Sequence, residues 1–142
     1  MKHIKKIICF VFVFAVLSNV FALASQASAQ DYNYYIGDDG VVLTMYNGSG
    51  KEVVVPSKIE GTTVVRLEGT FYGNKTIERI TLPEGITVVG GYTFYDCVNL
   101  KSIVLPDSLE RIASYAFAYS GLPEMVLPVN AHYIEEYAFF GL

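Results

Sequence analysis

From Val53 onward, apolar and polar positions recur with one period, and that period sets the elements the chain predicts. Phe71, Phe94, Phe117 and Phe139 follow one another at steps of 23, 23 and 22 residues, and Pro56, Pro83, Pro106 and Pro128 run alongside them. Apolar residues stand three before Pro at Ile80, Ile103 and Met125, and one before it at Leu82, Leu105 and Leu127. A second apolar pair follows, at Ile86, Leu109 and Ala131 and then at Val89, Ile112 and Ile134. Ile77 and Leu100 lie six after Phe and Leu122 five, which puts the residue missing from the third period in the turn at Ser120-Gly121. Pro and Phe are 11 residues apart in the last three units and 15 in the first, so the first carries an insertion of four near Glu60-Gly61-Thr62.

Periods in this range mark a coil that closes one circuit per repeat and lays each circuit on the last. In "SIVLP" side chains alternate, so Ile103 and Leu105 are expected to point into the coil, and Ser102 and Val104 out of it. Pro ends each strand because it has no N–H to give to a ladder. Leu109, Ile112 and Phe117 then close the circuit from the opposite side. One circuit alone cannot offset the entropy of its own ordering, so neighbours must share ladders and apolar layers. Pro and Phe keep step because each must sit above its counterpart, while polar positions facing water are free to drift.

Between Gln30 and Lys51 the pattern changes. Tyr32, Tyr34 and Ile36 alternate, Asp38-Asp39-Gly40 supplies a turn, and Val41, Leu43 and Met45 alternate again, which reads as a β-hairpin. Its expected task is to cap the first apolar layer; a Tyr-rich contact surface is the functional alternative. At the other end, "YAFFGL" falls inside the fourth circuit without a polar closing segment. That end is expected to be uncapped, open to a longer array or to a second copy.

The linked columns I-x-L-P-x-x-[IL]-x-x-[IV]-x-x-x-[TA]-F-x-x-C-x-x-L-x-x-I resemble the BspA-like class of leucine-rich repeats, a family of exported surface proteins. The match is fullest from Ile80 to Ile103, where Cys97 falls on the family's Cys column, and the resemblance covers about residues 53 to 142. Ser120, Val129-Asn130-Ala131 and Gly69-Thr70 depart from the pattern. The resemblance implies a right-handed leucine-rich-repeat solenoid, mostly β, with one short-stranded parallel sheet and irregular or briefly helical opposite walls. The expected organisation is a secretory signal peptide over 1–29, a hairpin cap over 30–52, and leucine-rich repeats over 53–142, about four circuits with the last incomplete.

The signal peptide is read from Lys2, His3, Lys5 and Lys6, the apolar run Ile7 to Leu17, and the small-residue stretch "ALASQASAQ", with cleavage after Ala29. The apolar run is 11 residues, short of the roughly 20 that a membrane-spanning helix needs. Without residues 1–29 the chain keeps seven basic and fourteen acidic residues, a balance of 7 − 14 = −7. With those cations scattered singly, nucleic acid and anionic lipid are disfavoured as partners. Cys97 is then the lone thiol and is expected to be a small buried side chain.

Little in the chain points to catalysis. Cys97 and His132 would have to converge, Glu135-Glu136 reads as a solvated pair, and Gly90-Gly91 reads as a strain-relieving corner. No cofactor and no metal motif is expected. Asn47 and Asn74 fit the N-glycosylation pattern but read as turn residues. The candidate binding surface consists of two outward columns, Arg79, Ser102 and Glu124 following Glu52, and Val54, Thr81, Val104 and Val126, with a third of Tyr92, Tyr115 and Tyr137. Three functions follow in order. The first is an exported or cell-surface binding module for adhesion or protein–protein interaction with a host, matrix or other surface protein. The second is a spacer that self-associates through the open end, and the third is a secreted hydrolase.

Overall fold

A computed structural model describes residues 28–142. The signal peptide expected over 1–29 lies outside these residues except for Ser28 and Ala29, which open a single 3-10 turn, Ala29–Asp31. The chain continues through β1 (Tyr32–Ile36), β2 (Val41–Tyr46), β3 (Glu52–Val54), β4 (Lys58–Ile59) and β5 (Thr62–Leu67), then β6 (Arg79–Thr81) and β7 (Val88–Val89). β8 (Ser102–Val104), β9 (Arg111–Ile112) and β10 (Tyr133–Ile134) complete it.

β1 and β2 form the expected antiparallel hairpin, closed by Gly37 N–H donating to the Gly40 carbonyl at 2.8 Å. The alternation read through Val41, Leu43 and Met45 fails at its third member. Tyr34 pairs with Leu43 but Asn33 pairs with Met45, so Thr44 is an extra residue in β2. One extra residue reverses which face the following side chains take. Met45 is therefore exposed, and Tyr46 turns in beside Tyr32. The two rings pack on Phe71, at 5.2 Å from Tyr46 and 6.2 Å from Tyr32. The hairpin thus covers the first apolar layer, and β2 is also a rung of the coil, with Leu43 in parallel register with Leu67.

The strands before proline ladder as the alternation predicts. β3, β6 and β8 are parallel, aligning Val53 with Ile80 and Ile103 inside, and each ends two residues before its Pro. The opposite wall, expected to be irregular or helical, is a sheet as well. β2, β5, β7, β9 and β10 run parallel, with Leu67, Val89, Ile112 and Ile134 in one column. Two residues per strand suffice, because the ladder extends from circuit to circuit and not along the chain. The insertion in the first unit is a bracket, β4 paired antiparallel with β5 across Glu60 and Gly61, both left-handed at φ 51 and 79, as a two-residue hairpin turn requires.

The fourth rung of the first sheet is absent: Glu124 and Val126, expected to extend the two outward columns, lie in a segment that forms no strand. Pro123 removes one of the donors that start this rung in the earlier circuits. At the equivalent position Glu78 N–H donates to the Lys51 carbonyl at 2.7 Å, and Lys101 N–H to the Glu78 carbonyl at 2.8 Å. Proline has no such hydrogen to give.

The third side of the coil is a six-residue turn repeated at 69–74, 92–97, 115–120 and 137–142. Its backbone is also bonded between circuits. Phe71 N–H donates to the Thr93 carbonyl at 2.9 Å, Phe94 to Ala116 at 2.7 Å and Phe117 to Ala138 at 2.8 Å. The four phenylalanine rings stack in one row at 5.3, 5.0 and 5.6 Å with interplanar angles of 7, 16 and 15°. Gly90, read as a strain-relieving corner, has no left-handed backbone. It is needed for space, since a Cβ there would meet the Glu68 carboxylate and the Leu67 carbonyl.

Outside the first sheet, Glu78 sits between Lys51 at 3.0 Å and Lys101 at 2.5 Å, three circuits joined by one carboxylate. Hydrogen bonds from Lys101 and then Lys51 hold its carboxyl down at about 2.

Two outcomes follow. Phe117→Ala should destabilise the chain by about 3–5 kcal/mol and Phe139→Ala by less, because Phe117 is wholly buried and Phe139 only partly; urea midpoints measure both. Glu78, depressed in the fold, contributes stability that is present above its ordinary value of 4.5 and lost as pH falls towards about 2. The stability gap between the wild type and Glu78→Gln should therefore close over that window in denaturation curves.

Candidate functional site

The first sheet aligns the expected outward columns over three rungs. Glu52, Arg79 and Ser102 are in register, as are Val54, Thr81 and Val104. Arg79 donates through Nε and Nη2 to Glu52, and that hydrogen bond raises the guanidinium pKa. Val104 is 59% exposed and Val126 is 88% exposed. Glu124 and Val126, in the strandless segment after Pro123, do not join the columns. They instead line a groove of about 570 Å³ against Ile103 and Leu105, along the edge of β8 that no strand covers among the described residues.

Tyr92, Tyr115 and Tyr137 form the third expected column and stack ring on ring, at 5.3 Å and 4° and then 5.1 Å and 15°. Their backbones are left-handed, at φ 57, 58 and 60. Gly69 holds the same position in the first turn at φ 59. A left-handed backbone is free for glycine and costs other residues about 1–2 kcal/mol each.

Beside this column runs a second that the sequence reading did not identify. Tyr72 and Tyr95 stack at 5.3 Å and 5° on the fourth position of their turns. In the third turn that position is Ala118, and the ring comes from Tyr119 one residue later, edge-on to Tyr95 at 5.6 Å and 84°. Phe140 restores the fourth position, edge-on to Tyr119 at 5.4 Å and to Tyr137 at 5.9 Å. The columns touch through Tyr92, 5.5 Å from Tyr95 and 6.4 Å from Tyr72. The signal was present, since Tyr72, Tyr95 and Phe140 each follow the repeat Phe directly; the exchange at Ala118 and Tyr119 hides it. Packing among the rings desolvates Tyr95 and Tyr115 and raises both phenol pKa values, with smaller upward pushes from Asp96 and Glu136.

The residues considered for chemistry stay apart. Cys97 is buried, its Sγ on the Phe71 carbonyl at 3.0 Å, and burial pushes the thiol up to about 11. His132 is exposed at the entrance to β10. Of the acidic pair read as solvated, Glu136 is exposed. Glu135 is not: it is held by Arg111 and by Ser114 at 2.9 Å, which lowers its carboxyl. Asn74 does turn work, accepting the Thr76 and Ile77 N–H groups at 2.8 and 3.0 Å. Among the described residues no His, Cys, Asp or Glu cluster is placed to hold a metal ion, and no helix is long and apolar enough to cross a membrane.

Comparison with known proteins agrees with this architecture. Residues 47–142 match the BspA type leucine-rich repeat region. A leucine-rich repeat protein of T. pallidum is 33% identical with a TM-score of 0.75, over 78% of this chain and 54% of the other, so the chain spans about half of that protein's length. A leucine-rich repeat protein from Bacteroides capillosus shares the fold at a TM-score of 0.68 and 22% identity, over 80% of this chain and 94% of the other. One from Bacteroides ovatus shares it at 0.51 and 20%, over 80% and 38%. No curated protein matches the sequence. Its stacked circuits, its proline-ended strands and the family match over more than half its length together establish that this chain belongs to the BspA-type leucine-rich repeat family.

Proposed function

We propose that the protein is exported and works, secreted or on the cell surface, as a binding module that holds a protein partner through side chains on its outer walls, in adhesion or a similar contact. The observation that carries this reading is the outward aromatic face. Aromatic rings with wet hydroxyls suit protein contact. Three of them stand on tyrosines whose left-handed backbone glycine would adopt without strain. A costly residue repeated at one position, circuit after circuit, points to a task for its side chain.

Area supports combining the two walls. Three rungs of three residues present on the order of 150 Å², against roughly 800 Å² that a stable interface takes from each partner. Val54, Thr81 and Val104 therefore act with the tyrosine face, or many displayed copies act together. Export is supported by the basic, apolar and small-residue succession at the N-terminus. A second reading, a spacer that assembles with other copies, draws on the edge of β8, which no strand covers among the described residues, since an open edge is a template for pairing.

Attachment tests the two. Cells displaying residues 30–142 should adhere to immobilised extracellular-matrix proteins. Adhesion should fall roughly tenfold in the combined variant Tyr92→Gly, Tyr115→Gly, Tyr137→Gly, and also in Val104→Lys, with circular dichroism unchanged. Adhesion indifferent to both substitutions would favour the spacer.

A further inference from the structure

The aromatic face belongs to an acidic chain most of whose cations are already engaged. Residues 30–142 carry seven basic and fourteen acidic residues. Six of the seven are in ion pairs: Lys51 and Lys101 with Glu78, Arg66 with Glu68, Arg79 with Glu52, Lys75 with Asp96 and Arg111 with Glu135. Beside the rings, Lys75 is tied to both the carboxylate and the carbonyl of Asp96, at 2.6 and 2.7 Å. Glu136, next to the Tyr137 end of the stack, makes no ion pair among the described residues. Asp96 and Glu136 are the carboxylates that act on the ring phenols, Glu136 without a counter-ion among the described residues, and the chain from residue 30 is acidic as a whole at 7 − 14 = −7.

The ring geometry selects among partners. A neutral sugar stacks flat on an open ring face, but within these columns each ring covers much of its neighbour. Near-parallel rings with centroids 5.1–5.3 Å apart are wider than a face-to-face contact and fit the preferred offset arrangement, and Tyr72, Tyr92 and Tyr137 remain exposed. The edge-on turns of Tyr119 and Phe140 present rings at a second orientation. A guanidinium or ammonium group fits such exposed rings, because π faces attract cations and Glu136 and the chain's net negative charge add to that attraction. An acidic segment would meet repulsion.

We infer that the tyrosine face recognises a cationic polypeptide segment, rich in Arg or Lys, whose charged groups lie against exposed parts of the stacked rings, drawn by Glu136 and the chain's net negative charge. This rests on the reading of the face as a binding surface and names its partner's chemistry.

Six of the eleven tyrosines stand on the face and there is no Trp to mask them, so tyrosine emission is sensitive to events there. Residues 30–142 would be titrated with an oligo-arginine peptide, an oligo-glutamate peptide and a neutral glucan oligosaccharide. The oligo-arginine peptide should bind alone among them, and more weakly as salt is raised to about 0.5 M. The combined Tyr92→Gly, Tyr115→Gly, Tyr137→Gly variant should bind it on the order of tenfold less tightly. Glycine suits the left-handed positions, as Gly69 does; should that variant fail to fold, Tyr72→Ser, at a ring 62% exposed, replaces it with a smaller loss. Equal binding by the ring-deleted chain would overturn the inference, leaving the acid surplus alone to hold the peptide. Binding of the glucan in place of the peptide would overturn the cationic partner while leaving the face a binding surface. No binding of any probe, with matrix adhesion still dependent on the rings, would overturn the inference and spare the broader reading.

Discussion

Equivalent residues of successive circuits meet vertically, and every other feature of this chain depends on that contact. The phenylalanine row shows it most plainly, since each ring lies on the next at 5.0–5.6 Å and each backbone N–H beneath it reaches the following turn. Two-residue strands such as β7 and β9 have no stability of their own; they exist as rungs between neighbours. The same vertical rule organises the polar surface. Glu78 joins three circuits, and Ser108 Oγ both donates to the Ile86 carbonyl at 2.9 Å and accepts from Gly85 N–H at 3.0 Å. What is stacked inside as apolar layers is stacked outside as charge and hydroxyl ladders.

Features that obey the period were legible in the residues themselves. Pro83, Pro106 and Phe94, Phe117 keep a single spacing, and the deviations of 15 and 22 located the β4–β5 bracket and the shortened turn before Leu122. Features set by one residue against the pattern were harder to see. Thr44 shifts the parity of β2 by standing extra in its ladder, so Tyr46 takes a place under Phe71 that no Phe marks. Pro123 was visible, but its consequence depends on which carbonyl its missing N–H should meet, and that is known only once Lys51, Glu78 and Lys101 are seen bonded in line. The opposite wall escaped because a pair such as Arg111-Ile112 carries no alternation of its own.

The candidate surface was half legible for the same reason. Tyr92, Tyr115 and Tyr137 share a position and could be aligned. Tyr72, Tyr95, Tyr119 and Phe140 do not all share one, and it is the backbone of the turn that brings Tyr119 level with the ring position Ala118 vacates. Burial then separates the two kinds of aromatic in each circuit. Phe71, Phe94 and Phe117 are enclosed and hold the circuits together, while the tyrosines around them reach the surface, Tyr92, Tyr115, Tyr119 and Tyr137 on left-handed backbones that favour glycine. The scaffold and the proposed contact surface are thus two sides of one six-residue turn.

Amide hydrogen exchange at Phe71, Phe94 and Phe117 tests vertical bonding most directly, because these residues lie in turns that would exchange freely if circuits did not bond to one another. All three should exchange only through global unfolding, with the same opening free energy as core strand amides such as Ile80. Rapid exchange at these three amides in the native protein would contradict it.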